Sequence, residues 1–107
     1  MLKYEFHLHG NFVEVINSIH SSFRSEMDLV GENEYRSDSM RCLVRIYGCH
    51  VIFGTRTFLS LTFTLIENEE KLFLSIISAG EYYDSQGRKL KKMLNPVLKA
   101  IEEFIYT

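Results

Sequence analysis

Two long apolar segments joined by a short polar link constrain this chain more than any other feature. They run from Thr57 to Ala79, with the link at residues 67–70. In the first segment leucine or phenylalanine fills every second position from 59 to 65, which is the period of a strand. Residues 72–77 are almost continuously apolar, as in a central strand. The stretch is therefore interpreted as a β-hairpin that the rest of the chain must cover.

Length and composition indicate a single soluble domain spanning residues 1–107. The chain has a net charge of −2, 46% hydrophobic residues and two cysteines, Cys42 and Cys49. A chain of this size can bury a core without disulfide or metal staples. No run approaches the roughly 18 apolar residues of a membrane span, and the N-terminus lacks a signal peptide's apolar core. We expect a cytoplasmic protein with reduced thiols and no membrane contact.

The N-terminal third predicts a strand followed by a helix. Apolar residues alternate with polar ones from Leu2 to His9, and Gly10 ends the pattern. Asn11 is a good N-cap, with Glu14 three residues on. The helix should bury one stripe and end near Ser25; its predicted stripe is Phe12, Val13, Ile16, Ile19, His20 and Phe23.

The middle of the chain predicts two more strands. A short charged edge strand is expected around Asn33 to Arg36, since charge on an edge discourages pairing with other chains. A second strand is expected from Met40 to Tyr47, with Met40, Cys42, Val44 and Ile46 on one face. Residues 48–54 are interpreted as the turn into the hairpin, although 51–53 could extend a strand.

The C-terminal segment has helical spacing with Pro96 inside it. Two interpretations stay open. One is a single kinked helix over about 86–106, in which the proline costs ~3 kcal/mol. The other is a new helix capped by Asn95, with Pro96 at its first position.

The order β-α-β-β-β-β-α predicts an α+β, two-layer architecture. Its antiparallel sheet has four to five strands, and both helices lie on one face. The same succession is found in helix-grip and TATA-binding-protein-like folds, which host many unrelated functions. The architecture alone implies no activity.

The central strands resemble a family of small bacterial proteins catalogued as a domain of unknown function. The resemblance is carried by residues 41–47, then Gly54, Arg56, Leu59, Leu61 and Thr62, then 72–75 with Ile77, Ser78 and Gly80. It covers about the middle 40 residues. The resemblance implies an arrangement of strands and no chemistry.

Two small groups of residues in the sequence are candidates for chemical sites. His7 and His9 have the His-x-His spacing of strand-borne metal sites, but no third ligand is adjacent in sequence. Cys49 and His50 could form a thiol-imidazole pair, but the sequence around them has no nucleophile signature. We assign no catalytic residue, no metal ligand and no cofactor, and expect a protein that is not an enzyme.

The sheet face turned away from the helices predicts an interface. Large apolar residues among Arg, Ser and Thr are commoner at interfaces than on bare surfaces. The leading hypothesis is a protein-interaction module, most simply a homodimer. The predicted interface residues are Arg41, Leu43, Arg45, Tyr47, Phe58, Phe73 and Ile77.

Two other functions remain as alternatives. One is a carrier of a small apolar ligand between the sheet and the last helix, lined by Leu61, Phe63, Leu74, Ile76, Val97, Ile101 and Phe104. The other is weak anion or nucleic-acid binding through Arg88, Lys89, Lys91 and Lys92, helped by Arg41, Arg45 and Phe73 on the sheet. A net charge of −2 makes nucleic acid the weakest of the three partners.

Overall fold

The alternating segments pair into one antiparallel sheet of five strands, with two helices packed on one of its faces. The computed structural model describes residues 2–23, 27–53, 55–80 and 84–105, and at 51–53, 55–57, 84–87 and 89 it describes the backbone alone. The elements in chain order are β1 (Lys3–Leu8), α1 (Phe12–Ser22), β2 (Asp28–Arg36), β3 (Met40–Phe53), β4 (Thr55–Asn68), β5 (Lys71–Ala79), α2 (Asp84–Ile101) and a 3₁₀ turn (Glu102–Phe104). This order confirms the predicted α+β class.

The spatial order of the strands is β1-β5-β4-β3-β2. Each strand from β2 to β5 pairs with its neighbour in the chain, whereas β1 crosses over to pair with β5. The Ser78 backbone N–H donates to the Leu2 carbonyl oxygen at 2.9 Å, which extends that ladder. At the far end of β1, Ile105 forms an isolated bridge with Leu8. The two edges of the sheet are therefore β1, partly closed by the C-terminal segment, and β2.

The helices form where the sequence predicts them. The Asn11 side chain accepts hydrogen bonds from the backbone N–H groups of Val13 and Glu14, so two of the orphan donors at the start of α1 are satisfied. Gly10 enters this turn with φ of 116°, a conformation that favours glycine. Two members of the predicted stripe are wrong, because Val13 is 49% exposed and His20 is also exposed. Val15, which is not in the predicted stripe, is buried.

The α2 helix continues through Pro96, so the single-helix interpretation is confirmed and the restart at Asn95 is wrong. Pro96 is exposed. Water can therefore satisfy the backbone carbonyl that loses its helical donor, which lowers the cost of the proline. The buried residues of α2 keep the predicted helical spacing; they are Leu90, Met93, Leu94, Val97 and Ile101.

The strands are longer than the sequence predicts. The edge strand expected at Asn33–Arg36 begins at Asp28, and the turn expected at residues 48–54 is wrong, because β3 runs to Phe53. The link between β4 and β5 is a two-residue turn at Glu69 and Glu70, whose φ angles are 51° and 68°. The predicted helix end near Ser25, and Gly54 in the predicted turn, lie outside the described residues.

One prediction about the faces of β3 is wrong, and it changes the interface. Residues opposite each other in an antiparallel ladder share a face. Leu43 pairs with Leu65, and Tyr47 with Leu61. All four are buried in the core. Arg41, Leu43, Arg45 and Tyr47 therefore point to the helix side, and Cys42, Val44 and Ile46 point away from it.

Candidate interaction surface

The side of the sheet away from the helices, here called the open face, is a plane of side chains with no described element over it. Its inner part is called the central patch and comes from strands β2 to β5. Cross-strand pairing arranges the patch in rows. The rows are Tyr35-Cys42-Ile66-Phe73, Asn33-Val44-Thr64-Ser75, Gly31-Ile46-Thr62-Ile77, and Gly48-Ser60 with Phe58 beside them.

The first row is the bulkiest and continues onto β1. The His7 ring lies against Phe73, with ring centroids 5.4 Å apart. The next row is small and polar, so a ridge of large side chains borders a shallow trough. Tyr35 is 60% exposed and Ile77 36%. Water therefore reaches large apolar groups across the whole width of the sheet.

Phe58 lies flat on the sheet because Gly48 leaves it room. A Cβ atom added at Gly48 would collide with the Phe58 ring. The His50 ring packs against the same phenylalanine, with centroids 5.1 Å apart. Phe58 is nevertheless 42% exposed. This end of the open face thus carries an aromatic group fixed in place with one side free.

Charge is confined to the rim of the open face. Among its described residues, the central patch has no Asp, Glu, Lys or Arg. The rim carries Lys3 and Glu5 on β1, Asp28 at the start of β2 and Lys71 at the start of β5. Lys3 and Glu5 form an ion pair of 3.0 Å. Among the side chains that the structure describes, two positive and two negative residues leave the rim with no net formal charge.

The predicted interface residues fall on two different faces. Phe58, Phe73 and Ile77 lie on the open face as expected. Arg41, Leu43, Arg45 and Tyr47 lie on the opposite face, where Leu43 is 4% exposed and Tyr47 1%. The open-face residues that the sequence reasoning missed are Tyr35, Cys42, Val44, Ile46 and Ile66.

The two arginines of β3 are held on the helix side by acidic residues of β2. Arg41 Nε donates to Glu34 Oε1 at 2.8 Å, and Arg45 Nε donates to Glu32 Oε2 at 3.2 Å. The Arg41 guanidinium also lies over the Phe12 ring, 4.2 Å from its centroid. These contacts bind β2 to β3 and β3 to α1. The hydrogen bond from Arg41 lowers the pKa of the Glu34 carboxyl below its ordinary value.

Tyr47 is the polar member of the core under α1. Its ring packs against Phe23 at 4.4 Å and edge-on to Phe63 at 5.6 Å. Its hydroxyl lies 3.0 Å from His20 Nδ1 and accepts from Arg45 Nη1 at 3.5 Å. Because a hydroxyl has one proton, Tyr47 can donate it to His20 Nδ1 while it accepts from Arg45. His20 therefore supports the polar tip of Tyr47 at the surface of the core.

The residues that the sequence suggests as chemical sites do not form such sites among the described residues. Cys49 points into the helix side, with Sγ 4.0 Å from Met93 Sδ, whereas His50 packs on the open face. The thiol and imidazole thus lie on opposite sides of β3. Within the described ranges, no three His, Cys, Asp or Glu side chains form a group that could hold a metal ion.

The two alternative functions lose much of their structural basis. The residues expected to line a ligand space all belong to the hydrophobic core, at 8% exposure or less. For anion binding, Arg41 and Arg45 lie on the opposite face from Phe73 and are paired with acidic residues. Arg88, Lys91 and Lys92 are exposed on α2, again away from the open face. The Lys89 side chain lies outside the described residues.

Comparison with known proteins gives a family and no function. A model of a family of unknown function, DUF6054, matches residues 1–104. The chain belongs to this family. No curated protein and no solved structure matches it. Within the described part of this DUF6054 protein, no helix is long and apolar enough to cross a membrane.

Proposed function

We propose that this DUF6054 protein is a non-enzymatic interaction module that associates with itself through the open face, in the cytoplasm. The central patch is the observation that carries the proposal: its described residues set large apolar side chains among small polar ones, carry no charge, and are not covered by any described element. Monomeric proteins seldom expose contiguous apolar patches larger than a few hundred Å². Cys42 and Cys49 are both in the thiol form, which suits a reducing compartment.

The size of the open face supports a stable partner. Five strands spaced about 4.8 Å apart make a plane about 24 Å wide, and residues 58–68 of β4 span about 34 Å along it. The product is about 800 Å², which is the area that each partner contributes to an interface of standard size. Two such sheets can stack face to face at about 10 Å, the usual separation of packed sheets.

Charge and relief support a second copy as the partner. A face with an uncharged centre and a neutral rim does not repel itself, whereas a polyanion would find no cation in the central patch. An isologous dimer brings each surface against its own copy. The ridge at Phe73 can then enter the trough at Thr64 and Ser75 of the other subunit.

Two substitutions at the centre of the open face test the proposal. Thr64→Lys and Phe73→Glu each place a charge where two sheets would meet, and each should halve the particle mass measured by sedimentation velocity. In the free sheet these charges face water, so the fold should persist by circular dichroism. Val13→Glu is the matched control, because Val13 is exposed on α1 and its substitution should leave the mass unchanged.

The result that overturns the proposal is equally direct. If both open-face variants sediment like the wild-type chain over micromolar to millimolar concentrations, the open face is not the self-association surface.

A further inference from the structure

We infer that strand β2 is a second self-association site, at which two copies join their sheets edge to edge into one continuous sheet. The site is the outer backbone edge of β2, and it is distinct from the open face. Its partner is the same edge of a second copy, running antiparallel about a two-fold axis perpendicular to the sheet.

The edge of β2 is unusually available for pairing. Every residue from Asp28 to Arg36 is exposed except Gly31, which is partly buried. Three of the six large apolar residues that are exposed among the described side chains belong to this strand: Leu29, Val30 and Tyr35. Unpaired strand edges are templates for another strand, and soluble proteins normally cover or charge them. The opposite edge, β1, is partly closed by Ile105.

The acidic residues of β2 do not protect this edge. Glu32 and Glu34 lie against Arg45 and Arg41, so both carboxylates are held over β3 rather than out beyond the strand. A charge guards an edge by making an incoming strand bury or approach it. Here that charge is already neutralised within the subunit. The bulge between Leu29 and Gly31 interrupts the edge at one end only.

The hydrogen-bond pattern shows which backbone groups point outward. Ser37 N–H donates to the Met40 carbonyl oxygen at 2.8 Å, so residues 37 and 40 form a hydrogen-bonded pair. Such pairs alternate along an antiparallel ladder. Residues 35 and 42 therefore exchange backbone hydrogen bonds with each other, and so do residues 33 and 44. The residues between them on β2 point the other way, so Glu32, Glu34 and Arg36 direct their backbone N–H and C=O groups to the free edge. Among the described residues, no other segment of the chain makes a backbone hydrogen bond to that edge.

These outward groups and the order of charges select one register. With Glu34 on the two-fold axis, Glu32 of each copy lies opposite Arg36 of the other. The three outward residues of each strand then make six backbone hydrogen bonds between the copies. With Asn33 on the axis, Glu32 of each copy would face Glu34 of the other, and only four backbone hydrogen bonds would join the copies. Opposite charges across strands stabilise a sheet, and like charges destabilise it. The Glu34-centred register is therefore favoured; its one like-charge pair sits beside Arg41 and Arg36.

The two sites together predict a particle of four copies. The two-fold axis of stacked faces lies parallel to the sheet, and the axis of paired edges is perpendicular to it. Perpendicular two-fold axes that meet give a closed tetramer. The edge contact does not depend on the open face, so each site can be removed while the other remains.

Glu34→Pro tests the edge with little effect on the subunit. The Glu34 N–H points outward, so proline removes a donor to the second copy and no bond to β3, as edge prolines do. Glu34→Ala is the control, because it loses the same Arg41 ion pair but keeps the N–H. Glu34→Pro should halve the particle mass, Glu34→Ala should not, and Glu34→Pro with Thr64→Lys should give a monomer.

A second variant leaves the backbone unchanged in case the proline disturbs the fold. Arg36→Glu places four acidic residues opposite one another, and it should weaken edge dimerisation of the Thr64→Lys protein about tenfold. If Thr64→Lys is already a monomer, the edge site is wrong and the open-face proposal stands. If Glu34→Pro alone gives a monomer and Thr64→Lys has no effect, the edge is right and the open-face proposal is wrong. A wild-type monomer refutes both.

Discussion

The turn between β4 and β5 offers the sharpest test of the fold, because it places two glutamates in an unfavourable backbone conformation. Glu69 and Glu70 have φ of 51° and 68°, the left-handed region expected of a type I′ turn. An L-residue with a side chain loses about 1–2 kcal/mol there. Asn-Gly is the pair that such a turn favours. Replacing Glu69-Glu70 by Asn-Gly should therefore stabilise the protein.

The expected gain is the relief of strain less the cost of a more flexible unfolded chain. Two positions release about 2–4 kcal/mol at most, and asparagine keeps part of its own penalty. Glycine returns about 0.4–1 kcal/mol through the entropy of the unfolded state. We expect a net gain of about 1–1.5 kcal/mol, which raises the melting temperature of a domain of this size by about 5–10 °C.

The measurement is thermal and urea unfolding at a fixed chain concentration. Glu69→Gln with Glu70→Gln is the matched control, because it removes the same two charges and leaves both φ angles strained. The difference between the two double variants isolates the backbone contribution. An Asn-Gly protein no more stable than the Gln-Gln protein would show that the strain argument is wrong.

Two further predictions concern the polar contacts beneath α1 and along β2. Tyr47→Phe keeps the ring packing and removes the hydroxyl contacts to His20 and Arg45, so we expect a loss of about 1 kcal/mol in urea unfolding; no loss would mean that the hydroxyl contributes nothing. The Glu34 carboxyl should titrate by NMR below an ordinary glutamate, and Arg41→Gln should raise its midpoint. Because the folded pKa is lowered, this contact stabilises the protein above the unfolded pKa and is lost as pH falls through the folded one; an unshifted midpoint would contradict the Arg41 contact.

Much of the fold follows from patterns of period two and 3.6. The β1 alternation, the Asn11 cap and the β4–β5 hairpin are set by local residues, so each is visible in a short window of sequence. Tertiary packing decides the features that short windows of sequence leave open, such as whether α2 continues through Pro96. Pro96 is accommodated in α2 because it lies on the wet side of the helix, a fact that depends on where the sheet is.

The faces of β3 show why binary patterning fails at a strand near the edge. One face of the strand reads Met-Cys-Val-Ile and the other Arg-Leu-Arg-Tyr, so hydrophobicity alone favours burying the first. The structure buries the second because Tyr47 fills the space beside Phe23 and β2 supplies carboxylates to both arginines. A signal was present: two acidic residues, Glu32 and Glu34, precede two basic residues, Arg41 and Arg45, across a short turn. Pairing those charges neutralises both arginines, which is what allows their face of β3 to pack against the helices.

The inverted faces of β3 also explain which predicted interface residues are wrong. Three of the seven predicted residues reached the open face because β4 alternates clearly and β5 pairs with it. The other four followed the inverted β3. Whether the open face binds a second copy stays a prediction, because neither the sequence nor the geometry of one chain shows a partner.

The crossover of β1 to β5 has a consequence for how the chain folds. Leu2 and Ser78 are joined across 76 positions, whereas β2 to β5 each pair with the next segment along. Closing a long loop costs more entropy than closing a tight turn, and non-local pairing is slow. We therefore expect the β2–β5 meander to assemble first, leaving β5 as a temporary edge. The first strand in the chain is then the last to join the sheet, and the growing protein has an uncovered β5 until it does.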